Sequence, residues 1–104
     1  MRAWLRREHE VQVASGFAEA LAKLLSGPIP DVVITDYDMP PYHGDDLLAV
    51  VAARFPTVCR ILYTGTPEGF LEDVSKAAHH VVLKGGDPRL LSSLIHAWRY
   101  RHPA

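Results

Sequence analysis

Three short apolar runs constrain this chain more than anything else in it. Val32, Val33, Ile34 and Thr35 are β-branched without a break. Such a run describes a strand covered on both faces, as in a parallel sheet. Residues 60–64 and 81–83 read the same way. Each run stops at a residue capable of chemistry: Asp36 after the first, Thr64 at the end of the second, Lys84 after the third. Breakers follow each one, with Pro40, Pro41 and Gly44 in the first loop, then Gly65, then Gly85 and Gly86. Proline and glycine cannot continue a ladder, so these are loops at strand carboxyl ends. Open α/β sheets bind their ligands at that edge.

The stretches between the runs carry helical spacing. Phe17, Leu21, Leu24 and Leu25 follow Ser15, a good N-cap, and Gly27, Pro28 and Pro30 end that helix. Leu47, Leu48, Val50, Val51 and Phe55 predict a helix that Pro56 terminates. Thr66 before Pro67 starts another, over 67–78, and Asp87 before Pro88 starts the last. The last has a stripe of Leu90, Leu91, Leu94, Ile95 and Trp98, with Arg99, Arg101 and His102 complementing the dipole at its end. Residues 11–14, in which Val11 and Val13 alternate with Gln12 and Ala14, predict a half-buried edge strand, and residues 1–10 the end of a helix. The result is an α/β domain, an open parallel sheet of about four strands with helices on both faces. One hundred and four residues make one domain. It divides into a first-helix remnant (1–10), a body (11–98) and a short basic tail (99–104).

Composition narrows the functions. A net charge of −1 gives no broad reason to expect nucleic acid or an anionic membrane as partner, and the basic tail is too short to supply one. The single cysteine, Cys59, allows no internal disulfide, which fits a reducing cytoplasm. No apolar stretch approaches the ~18 residues of a spanning helix, and no secretory leader is read. His79 and His80 are adjacent and point to opposite faces of a strand, so they read as loop or surface histidines.

Asp36, Thr64 and Lys84 would meet at one sheet edge as a carboxylate, a hydroxyl and an ammonium. Phosphoryl transfer needs a nucleophilic oxygen, a cation and donors for the equatorial oxygens. Asp36 is the candidate nucleophile, Thr64 a donor to one phosphoryl oxygen, and Lys84 a partner for another or for Asp36 itself. The blander reading makes Asp36 and Asp38 turn residues and Lys84 a solvated or structurally paired cation.

Taken together, Val32 to Asp36, Asp38, Met39, Pro40 and Gly44, then residues 61–65 and 81–84, resemble the receiver domain of two-component response regulators. The resemblance covers about residues 5–98 and implies a flavodoxin-like fold. It implies that Asp36 accepts a phosphoryl group from a histidine kinase or phosphotransfer protein, with Thr64 as switch hydroxyl and Lys84 as phosphate contact. It also implies Mg²⁺ held by Asp36 and the backbone carbonyl of Asp38, and an output partner meeting residues 67–98. Any activity would be limited to self-phosphorylation and dephosphorylation rather than turnover of a substrate.

The departures from that family are specific. Receivers begin with a buried strand ending in two acids that bind Mg²⁺, and no residues here match it. Glu8 and Glu10 lie in a charged segment without a buried run before them. The metal would therefore be held weakly. Gly85 stands where the family usually has proline, and Val81 where it usually has an aromatic residue. A central strand buries about four aliphatic side chains at roughly 1.5–3 kcal/mol each. A monomer without one is expected to be unstable or to expose a long edge, so a homodimer with exchanged elements, or a fragment of a longer protein, is expected over a rearranged monomer in which residues 11–14 pair directly with 32–35. Two further readings stay open. One is a pseudo-receiver, an interaction or dimerisation module independent of phosphate. The other is a haloacid-dehalogenase-like phosphatase, for which Asp36, Asp38, Thr64 and Lys84 fit superficially but the chain leaves no room for a cap.

Overall fold

The computed structural model describes residues 11–39, 42–65, 77–87 and 89–101. Three of the elements are parallel strands, β1 (Val32–Thr35), β4 (Cys59–Thr64) and β5 (His80–Leu83). Their order in the sheet is β1-β4-β5, with Thr35 beside Leu62 and Thr64 beside Leu83. Between β1 and β4 lie β2 (Asp38–Met39) and β3 (Tyr42–His43), a two-stranded antiparallel hairpin. The helices are α1 (Phe17–Ser26), α2 (Gly44–Arg54) and α3 (Arg89–Arg101). The strands expected at 32–35, 60–64 and 81–83 and the helices expected after Ser15, Gly44 and Asp87 fall where the sequence puts them, in an α/β fold with helices on both faces of the sheet.

Strand alternation sorts the core into two layers. Leu62 and Val81 face α2, where Leu48 closes the contact, and Val33 reaches the neighbouring cluster of Leu24, Leu47, Val51 and Val58. On the opposite face Cys59, Ile61 and Val82 pack under Leu91 of α3, joined by Val32, Ile34, Tyr63, Leu94 and Trp98. β4 is central and its Cys59, Ile61 and Leu62 are fully buried. β1 has the composition of a central strand, yet Val32, Val33 and Ile34 are only half-buried, and among the described strands it lies at the edge of the sheet.

Three expectations change. Residues 11–14 are not a strand. An edge strand exists only through its ladder, and among the described residues none adjoins this one; instead the Lys23 ammonium donates to the Val13 carbonyl. The parallel sheet accordingly has three described strands rather than four. The cap of α1 is Gly16, not Ser15, whose N–H and hydroxyl both donate to the Glu19 carboxylate. The hairpin was not foreseen, since Pro40 and Pro41 read as loop. The predicted helix remnant over 1–10 lies outside the described residues, as do residues 67–76 of the helix expected over 67–78.

α3 starts as its sequence suggests: the Asp87 carboxylate accepts the Arg89 N–H at 2.9 Å. The hydrogen bonds from Arg89 hold the Asp87 carboxyl below the usual range. His79 extends the ladder between β4 and β5, donating its N–H to the Arg60 carbonyl at 2.8 Å and accepting the Arg60 N–H on Nδ1 at 3.0 Å. Its ring also leans on Trp98, 4.7 Å away. It is a structural histidine.

The start of α2 is pressed against the end of β1. Gly44 donates its N–H to the Tyr37 carbonyl at 2.7 Å, and a Cβ at Gly44 would lie 1.9 Å from the Asp36 carbonyl oxygen. Glycine in a helix ordinarily costs about 1 kcal/mol relative to alanine. Here the clash outweighs that gain, because a backbone atom has to move. Gly44→Ala is expected to destabilise the fold by about 1–3 kcal/mol, read as a lower thermal midpoint; a rise would contradict the close approach. Burial pushes the Cys59 thiol up to about 11. In the native protein it is expected to react with a thiol reagent at pH 8 far more slowly than in denaturant, and equal rates would mean that β4 is not central.

Candidate functional site

The register carries Asp36, Thr64 and Lys84 to a single edge of the sheet. Asp36 is the first residue beyond β1, Thr64 the last of β4, and Lys84 the first beyond β5. The Lys84 ammonium forms an ion pair with Oδ2 of Asp36. The two side chains come from strands separated by β4, about 9–10 Å apart at ordinary strand spacing. The long lysine stem bridges that gap. The pair is open to solvent, with 45% of the Lys84 side chain and 37% of the Asp36 side chain exposed. Thr64 is only 1% exposed, and its carbonyl accepts the Lys84 N–H at 2.8 Å, which ties the start of the lysine loop to β4. Gly85 then turns the chain with a φ of +90°, a conformation that L side chains rarely adopt.

The main chain of Asp36 is held as firmly as its side chain. The Thr35 hydroxyl donates to the Asp36 carbonyl at 3.1 Å, from a position only 4% exposed. Gly44 abuts the same carbonyl from α2. The hairpin fixes the loop between them. Tyr37 and His43 stack with ring centroids 4.6 Å apart, and Tyr42 meets Phe17 of α1 at the same distance. The Asp46 carboxylate accepts the His43 N–H at 2.9 Å where α2 begins. A carboxylate set this way stands on a firmly held main chain, partly open to solvent and beside the Lys84 ammonium.

This arrangement suits attack by a carboxylate oxygen on an electrophilic phosphorus, with the ammonium taking up negative charge. It suits a divalent metal less well. The described residues contain no group of three or more His, Cys, Asp or Glu able to hold one. Asp36 is the carboxylate they place at the edge, and Lys84 already neutralises it. The side chain of Asp38 lies outside the described residues; its backbone pairs with His43 in the hairpin. The described donors do not fit a magnesium site by themselves.

The sequence singled out the three strand-end residues and Gly44. It did not single out Tyr37, His43 or Tyr63. Tyr63 lies with the Lys84 ammonium 5.9 Å from its ring centroid. Only the register between three distant strands puts them together.

No protein-family model matches the chain, and no curated protein does. Solved structures do match it. The response regulator TrrA from Thermotoga maritima, in complex with Mg²⁺-BeF, is 26% identical with a TM-score of 0.81, covering 93% of this chain and 84% of that one. A response regulator receiver domain protein from Clostridium thermocellum is 27% identical with the same TM-score, covering 94% and 80%. The signal receiver domain of a signal transduction histidine kinase from Syntrophus aciditrophicus shares the fold at 18% identity and a TM-score of 0.83, over 98% and 80%. The chain has the fold of response-regulator receiver domains over nearly its whole length.

Proposed function

We propose that the chain is a receiver that accepts a phosphoryl group on Asp36 from a histidine kinase or phosphotransfer protein and signals by protein contact. The observation that carries this reading is the ion pair between Asp36 and Lys84 across the carboxyl edge of a receiver-type sheet. An Asp36 oxygen attacks the phosphorus of a phosphohistidine. The new P–O bond forms as the P–N bond breaks, and the imidazole leaves with a proton from solvent. Lys84 then pairs with a phosphoryl oxygen, and Thr64 at the end of β4 serves as the hydroxyl that follows the phosphate. The output partner meets residues 67–98, of which 77–87 and 89–98 are described. The open side of β1, uncovered by any described strand, supports a homodimer. The lone cysteine and near-neutral charge favour a cytoplasmic setting without nucleic acid or membrane partners. No helix among the described residues is long and apolar enough to cross a membrane.

One observation favours a second reading. The described residues hold no group of three or more His, Cys, Asp or Glu able to bind a metal, and Lys84 already neutralises Asp36, so a phosphate-independent interaction module is the alternative. Intact mass after incubation with a small phosphodonor, with and without Mg²⁺, separates the two. The expected outcome is one phosphate adduct in the wild type and none in Asp36→Asn. An ion pair this exposed contributes about 0–1 kcal/mol, so Asp36→Asn stays folded and is a fair control. A folded wild type that takes no phosphate, or an adduct that survives in Asp36→Asn, would sink the phosphoacceptor reading.

A further inference from the structure

Lys84 reaches Asp36 only by passing over β4, and the residue of β4 beneath that passage is Tyr63. The register fixes this. Thr35 lies beside Leu62, so the next step along β1 and β4 sets Asp36 level with Tyr63. Thr64 lies beside Leu83, so Lys84 emerges one step further along β5. Side chains alternate across a sheet, which gives Tyr63 the same face as its neighbour Val82 and, two residues on from Val82, as Lys84. Tyr63 is half-buried, and its ring is anchored in the cluster of Cys59, Ile61, Val82 and Leu91 under α3. The Lys84 ammonium lies 5.9 Å from the ring centroid, within reach of an attraction between a cation and the aromatic face.

A lysine stem exposed at this edge has many rotamers, and most of them point its ammonium into water. Its own loop turns away at Gly85. The pair with Asp36 is exposed and weak by itself. The tyrosine ring supplies a fixed, apolar and electron-rich floor midway along the span. We propose that Tyr63 is the positioning residue of this site, holding the Lys84 ammonium across β4 so that it stands at Asp36 before and after phosphate arrives. The aromatic face is what acts; the hydroxyl is dispensable. The consequence for phosphorylation rests on the phosphoacceptor reading, but the contact itself does not.

The test uses the wild-type chain, Tyr63→Phe and Tyr63→Leu. Proton NMR of the Lys84 ε-methylene should show an upfield ring-current displacement in the wild type, kept in Tyr63→Phe and lost in Tyr63→Leu. With a small phosphodonor, the rate of adduct formation should fall about two- to fivefold in Tyr63→Leu, the size expected for an exposed cation–aromatic contact, and hold in Tyr63→Phe. An undisplaced methylene in the wild type overturns the proposal, as does a Tyr63→Phe variant that loses the displacement or falls in rate with Tyr63→Leu. A wild type that accepts no phosphate defeats the phosphoacceptor reading alone, and the methylene then decides the role of Tyr63. If Tyr63→Leu fails to fold, the wild-type displacement and the Tyr63→Phe spectrum decide it.

Discussion

The parallel pairing of β4 with β1 on one side and β5 on the other is the constraint on which the site depends. Parallel strands all point the same way, so whatever follows each strand arrives at the same edge. β4 is held in the centre by full burial of Cys59, Ile61 and Leu62, with side chains committed alternately to the α2 and α3 layers. A slip of one residue would turn each of these to the wrong layer. The core thus fixes the register, and the register fixes which side chains can meet beyond it. Asp36 and Lys84 are 48 residues apart in sequence and touch for this reason.

The energetics separate scaffold from site. Buried aliphatic side chains contribute about 1.5–3 kcal/mol each, against about 0–1 kcal/mol for an exposed ion pair. The Asp36–Lys84 contact does little to hold the domain together. Its surroundings nevertheless constrain it closely: Thr35 donates to the Asp36 carbonyl, Gly44 admits no side chain beside it, and the Thr64 carbonyl holds the Lys84 N–H. Order imposed on a weak, solvent-facing pair is what the proposed phosphoacceptor role requires of it.

Much of this was legible in the sequence. The β-branched run at 32–35 and the runs at 60–64 and 81–83 are strands, of which the middle one is the most deeply buried, and the stripe from Leu90 to Trp98 is a helix by its period. The residues at the strand ends, Asp36, Thr64 and Lys84, are legible from the same pattern. What stayed hidden depends on partners. Val11 and Val13 alternate like a strand, but a strand needs a neighbour, and alternation does not report whether one is there. Ser15 is a better cap than Gly16 by type, but its N–H and hydroxyl are engaged by Glu19 and the helix starts after Gly16. The stack of Tyr37 on His43 and the closeness of Tyr63 to Lys84 follow from a hairpin and a register that residue types alone do not encode.

β1 is where composition and position disagree most. Its residues are those of a strand covered on both faces, and its place among the described strands is at an edge. Edges are normally protected by charge, proline or irregular backbone. Val32, Val33, Ile34 and Thr35 offer none of these, and the nearest charges, Asp31 and Asp36, are occupied by Arg99 and Lys84. The same strand ends in the residue proposed to accept phosphate. Whatever pairs with the side of β1 that no described strand covers would therefore act on Asp36 through the main chain that Thr35 and Gly44 already hold, so occupancy of that edge and the geometry of the site are physically coupled.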